Sequence, residues 1–187
     1  MYWIWKNYKS DGVVGTCHYR RYLLDENGDI FEEESCKQVL ESYDVIATKK
    51  VKLPRSYREG FAIAHHEKDF LAVRRAVKKC FPEDMEVFER VADGDEIYFG
   101  NLLITSKENY DNYMKWLFTI FEEAEKEIDA SDYDHYQKRL YGFLSEFLQT
   151  VYFEKCRFRV FHCMVGMTEE KKESKELLQL VKEDIET

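Results

Sequence analysis

Three short apolar, β-branched runs, separated by long stretches of helical periodicity, constrain this chain more than any other feature. Gly12-Val13-Val14-Gly15-Thr16-Cys17-His18-Tyr19 is the first, stopped by Arg20-Arg21. Tyr43-Asp44-Val45-Ile46-Ala47 is the second, and Ile97-Tyr98-Phe99-Gly100-Asn101-Leu102-Leu103-Ile104 the third. Runs of this length and type suit buried strands. The intervening sequence predicts a short helix over residues 35–41 and one or two helices over 57–80, with Phe70, Val73 and Val77 on one stripe. Pro82 opens another short helix, and Ser106 caps a long one running to Ile128 that buries Tyr113, Trp116, Leu117, Ile120 and Phe121. A helix over 133–153 and a strand over 157–164 follow. Strands alternating with helices give an α/β fold, a mixed central sheet flanked by helices. Tyr2-Trp3-Ile4-Trp5-Lys6-Asn7 reads as the end of an element whose beginning lies upstream.

With 187 residues, 44% of them hydrophobic, the chain can build one core and is short for two, so residues 1–187 are read as a single domain. From residue 168 a charged helical tail is expected, with Leu177, Leu178 and Val181 as a thin stripe. A net charge of -9 argues against a nucleic-acid partner, which would need a dominating basic face. Cysteines 17, 36, 80, 156 and 163 form no CxxC pair, and an odd count without a secretion signal reads as reduced thiols in a cytoplasm. No apolar stretch approaches the roughly 20 residues of a membrane span. At most, peripheral association with the inner face of the membrane is expected.

In open α/β sheets ligands bind beyond the carboxyl ends of the strands, which directs attention to His18-Tyr19-Arg20-Arg21. Two guanidinium forks can grip phosphate oxygens bidentately, and His and Tyr add donors. On spacing alone, a partly exposed histidine with surface arginines accounts for the string as well. Asn101 sits in an apolar run directly after Gly100, where bare backbone permits close approach of a ligand, or where the amide serves the backbone. In Arg139-Leu140-Tyr141-Gly142-Phe143-Leu144-Ser145-Glu146, Gly142 interrupts a helical pattern, and Glu146 is either an ion-pair partner of Arg139 or a general base. On the residues alone the ion pair is favoured.

Metal ligation finds little support. The adjacent His65 and His66 would point about 100° apart on a helix. Asp93-Gly94-Asp95 and Asp132-Tyr133-Asp134 read as turn and cap residues instead of a diphosphate-metal motif. A hydrolase built on Cys17 and His18 fails because neighbours on a strand face opposite ways.

Taken in order, YWIWKN at 2–7, VVGTCHYRRY at 13–22, YDVIATKK at 43–50, the histidines at 65 and 66, GNLLITSKENYDNYMKWLF at 100–118 and RLYGFLSEFL at 139–148 form one pattern. It resembles a bacterial family of capsular, exopolysaccharide and O-antigen clusters, long filed as a domain of unknown function, over nearly the whole chain to about Met164. Members with assigned activity resemble GT-A glycosyltransferases, among them galactofuranosyltransferases that use a UDP-sugar. The resemblance implies a donor diphosphate held by Tyr19, Arg20 and Arg21, with His18 aiding departure of UDP and Glu146 deprotonating the acceptor. It further implies a sugar or acceptor role for Asn101, His65, His66 and Arg139, and a glycan or lipid-linked glycan as acceptor. Family members carry several dozen residues before the YWIWKN-like segment, so the chain is expected to be N-terminally truncated. That makes a non-catalytic binding or assembly module the rival expectation, with a second copy or a synthesis complex as partner. Cations stand where a metal-dependent relative would carry a D-x-D, so no divalent metal is expected.

Overall fold

The computed structural model describes residues 1–9, 11–18 and 20–167; Tyr19 and the tail expected over 168–187 lie outside the described residues. In chain order the elements are α1 (Tyr2–Asn7), β1 (Val13–Thr16), β2 (Arg21–Leu24), α2 (Glu33–Leu40), β3 (Val45–Thr48), β4 (Val51–Lys52), α3 (Tyr57–Ala64), α4 (Glu67–Cys80), α5 (Met85–Asp93), β5 (Glu96–Ile97), β6 (Leu103–Ser106), α6 (Lys107–Ala124), α7 (Leu140–Lys155) and β7 (Val160–Met167). Five strands form a mixed sheet in the order β1-β6-β3-β7-β2, with β3 and β7 parallel and the other pairs antiparallel. β4 and β5 pair separately.

The central strand β3 shows why two layers of helix are needed. Val45, Ile46 and Ala47 are all fully buried, and alternation sends Val45 and Ala47 into the larger core and Ile46 into a smaller one. The larger core lies under α3 to α7; the smaller gathers Leu23, Cys36, Ile46 and Leu102 around α2. Ser56 and Ser106 cap α3 and α6 by accepting from the backbone N–H groups of Glu59 and Asn109. Asp84, 5% exposed, accepts from Trp116 Nε1 at 2.8 Å and Lys155 Nζ at 2.6 Å, which ties α6 to α7.

β1 and β2 are consecutive in sequence yet occupy opposite edges of the sheet, joined by residues 17–20. A flat sheet of five strands is about 19 Å across, while the extended chain from Thr16 to Arg21 reaches only about 17 Å. The sheet is accordingly curled, and the linker is drawn across its end.

Several sequence expectations are corrected. Arg20-Arg21 does not stop the strand order, because Arg21 opens β2 and pairs with Met167. β1 is an edge strand in which only Val14 is buried. The third apolar run divides into β5 and β6 around a turn in which Gly100 has φ 92° and Asn101 φ 51°. Asn101 therefore lies outside the strand; glycine and asparagine are the residues that tolerate this left-handed region. Residues 2–7 form a short helix whose Trp5 stacks on Phe118 at 5.7 Å. The helix expected from residue 133 begins at Leu140, after a 3-10 turn over Gln137–Arg139.

Candidate functional site

The linker of residues 17–20 and the Gly100–Asn101 turn meet over the sheet end. Thr16 Oγ1 donates to the Asn101 carbonyl at 2.9 Å, and His18 Nε2 lies 2.6 Å from the Gly100 carbonyl. From the other side, the first turns of α7 close on the same two residues. The Gly100 N–H donates to Glu146 Oε1 at 3.1 Å, and Asn101 Nδ2 donates to the Gly142 carbonyl at 3.2 Å. Gly100 is buried between them, and a Cβ there would lie 3.8 Å from Arg21 Nη1. The φ of 92° at Gly100 is thus what aims its N–H at Glu146 and its carbonyl at His18, with Arg21 beside them.

Glu146 is held by a backbone N–H instead of the ion pair with Arg139 that the sequence favoured. Burial pushes its carboxyl above the usual glutamate range, outweighing the opposing influence of the Gly100 N–H and of the Arg21 and Arg139 charges. A carboxyl of raised pKa, one hydrogen bond from a strained turn, suits proton transfer.

Two cavities flank this partition. The larger, about 670 Å³, takes Thr16, Cys17, His18 and Asn101 on one side, Gly142 and Ser145 on another, and Leu117, Phe118, Phe121, Glu122 and Glu125 from α6. Asn101 Oδ1 is buried there without a hydrogen-bond partner. The smaller, about 210 Å³, is walled by Tyr57, Phe61, Phe99 and Phe143 and contains Glu146 and His65. Glu146 faces the smaller cavity and Ser145 the larger.

Of the residues singled out in the sequence, His18, Arg21, Asn101 and Glu146 converge, and Arg139 sits at the rim with its guanidinium 5.5 Å from the Phe143 ring centroid. Arg20 is half-buried beside them in the linker. His65 enters the smaller cavity, whereas His66 is exposed and stacks on Tyr133 at 4.2 Å, apart from both cavities. Asp93 is the last residue of α5 instead of a turn residue and accepts from Arg58 Nε, while Asp134 lies between elements and accepts from the Gln137 N–H. Among the described residues, no three His, Cys, Asp or Glu side chains converge to hold a metal ion, and no helix is long and apolar enough to cross a membrane. The sequence reading missed Gln137, Ser145 and the aromatic wall of Phe99 and Phe143; only Gly142, breaking the pattern of α7, signalled that this turn was special.

Residues 1–157 match a family model described as a domain of unknown function, DUF4422. The chain belongs to this family. The match embraces every element that contributes to the two cavities. A comparison with curated proteins gives no match. Among solved structures, the chain is similar to the apo form of the WbbM bifunctional glycosyltransferase, with a TM-score of 0.78 and 24% identity over 91% of this chain. The chain spans 36% of the length of that protein. The likeness establishes a shared fold, a curled mixed sheet flanked by helices.

Proposed function

We propose that this DUF4422 domain transfers a sugar from a UDP-sugar donor, UDP-galactofuranose being one candidate, to a growing capsular, exopolysaccharide or O-antigen glycan. The observation that carries the reading is the carboxyl of Glu146, raised by burial, placed beside Arg21 and lining the smaller cavity. The fold shared with a glycosyltransferase supports it.

The larger cavity has the volume for the nucleotide. Phe118 and Phe121 offer faces for a flat base, and Glu122 and Glu125 offer acceptors for ribose hydroxyls. In the reaction, an acceptor hydroxyl oxygen attacks the anomeric carbon while Glu146 takes the hydroxyl proton. The bond from the anomeric carbon to the β-phosphate oxygen breaks with its electron pair, releasing UDP. Arg21 and His18, with Tyr19 and Arg20 on the same linker, stabilise the charge that develops there. The linker offers the diphosphate guanidinium groups, so this reading gives the leaving-group charge to Arg20 and Arg21 instead of to a divalent ion.

Calorimetric titration with UDP, UMP and ADP tests the reading. UDP is expected to bind more tightly than UMP, and Arg21→Ala to remove that difference; equal or absent responses overturn it. Because the chain spans 36% of the matched protein, a binding or assembly module is the second reading. It is identified by UDP binding without sugar transfer in the presence of polysaccharide acceptor.

A further inference from the structure

We infer that the smaller cavity is the subsite for one sugar ring of the acceptor, and that His65, set by Gln137 to accept a hydrogen bond, reads a hydroxyl of that ring. The inference rests on the glycosyl-transfer reading and assigns the acceptor to a place distinct from the donor.

Volume comes first. At about 30 Å³ per water in the liquid, a cavity of about 210 Å³ holds about seven waters. That suits one monosaccharide ring and is too small for a nucleoside diphosphate, for which the cavity of about 670 Å³ is adequate. Chemistry follows. A sugar ring presents a C–H face and a rim of hydroxyls, and the cavity presents aromatic walls with a carboxylate and an imidazole. The carboxylate is Glu146, so a ring lying here brings a hydroxyl to the proposed base.

His65 is the more informative group. Its ring stacks on Phe143 at 4.3 Å and lies near-parallel to Tyr136 at 5.8 Å, and those two rings, 5.2 Å from each other, lie to one side of it. Gln137 Nε2 donates to the Ala64 carbonyl at 3.0 Å, which leaves Gln137 Oε1, 3.1 Å from His65 Nδ1, as an acceptor. In the uncharged ring this fixes the proton on Nδ1 and the lone pair on Nε2. A purely structural histidine needs no glutamine anchored to fix one tautomer. An acceptor nitrogen in a pocket whose other walls are mainly aromatic selects a ligand with a hydroxyl at one position and rejects one without it.

Saturation-transfer NMR on the full chain with UDP present, using methyl β-D-galactopyranoside, methyl α-D-glucopyranoside and methyl α-D-mannopyranoside as probes, tests the subsite. At least one glycoside should receive saturation. His65→Phe, which keeps the stack and loses the acceptor, should weaken that glycoside by about tenfold, the worth of one hydrogen bond, while UDP signals persist and His65→Gln restores part of the loss. In protein carrying ¹⁵N-histidine, the His65 resonances should show Nδ1 protonated, and Gln137→Leu should shift them toward the other tautomer. Silence from all three glycosides, an unchanged glycoside response in His65→Phe, or loss of UDP signals instead overturns the inference. Glycoside binding that depends on His65 without any UDP binding would retain the subsite and overturn the UDP-dependent transfer reading.

Discussion

Glu146 sets burial against charge within one side chain. Burial raises its pKa, while the Gly100 N–H and two arginine charges lower it, and burial prevails. A base must be ionised to work, so transfer should fall on the acid side through a limb lying above the ordinary glutamate value. Arg21→Gln removes a lowering influence and should move that limb to still higher pH, which a pH–rate profile reads directly. Stability runs the opposite way. Between the unfolded value and the raised folded value the native state binds more protons, so stability is lost as pH rises through that window. Glu146→Gln is therefore expected to lower transfer by about 10²–10⁴-fold while raising the melting temperature at pH 7. A variant that loses both activity and stability would mean that the carboxylate serves the fold.

At the scale of elements, the site is where three segments cross: the linker after β1, the turn before β6 and the first turns of α7. Its hinge is Gly100, whose φ of 92° is the least forgiving feature of the crossing. An alanine Cβ would meet Leu102 at 3.4 Å, an ordinary contact, so the penalty of Gly100→Ala is backbone strain. We expect a loss of about 1–2 kcal/mol in urea denaturation, together with impaired transfer as the N–H turns away from Glu146. The same crossing explains what could be read in the sequence. Strands at Val13–Thr16, Val45–Thr48 and Leu103–Ser106 and the capped helix from Lys107 were legible because burial and capping are local patterns. β2 was not, because Arg20-Arg21 resembles a stop until β7 is there to pair with it. Asn101 reads as strand because apolar residues flank it on both sides, although Gly100-Asn101 is a turn dipeptide. Glu146 reads as a partner of Arg139, about two helical turns away, because its true partner lies 46 residues upstream at Gly100.

Across the whole molecule, charge is arranged against its own average. The chain carries a net charge of -9, yet Arg20 on the linker, Arg21 in β2 and Arg139 at the start of α7 gather about the site. Such an excess of cations would repel a divalent ion and would pair with a diphosphate, so the arginines can fill the electrostatic role a metal plays elsewhere. The curl of the sheet makes this concentration possible, since it brings the linker from one edge over the turn and helix that hold Glu146. UDP binding and sugar transfer are accordingly expected to persist in excess EDTA. Changing Arg20 and Arg21 together to alanine should abolish both, because a charge-assisted hydrogen bond contributes about 1.5–3 kcal/mol and a bidentate grip makes two. Arg21→Lys keeps the charge and loses the fork, and should fall between wild type and the double variant. Strict dependence on Mn²⁺, with little effect of the double arginine change, would instead assign the leaving group to a metal held by residues other than these.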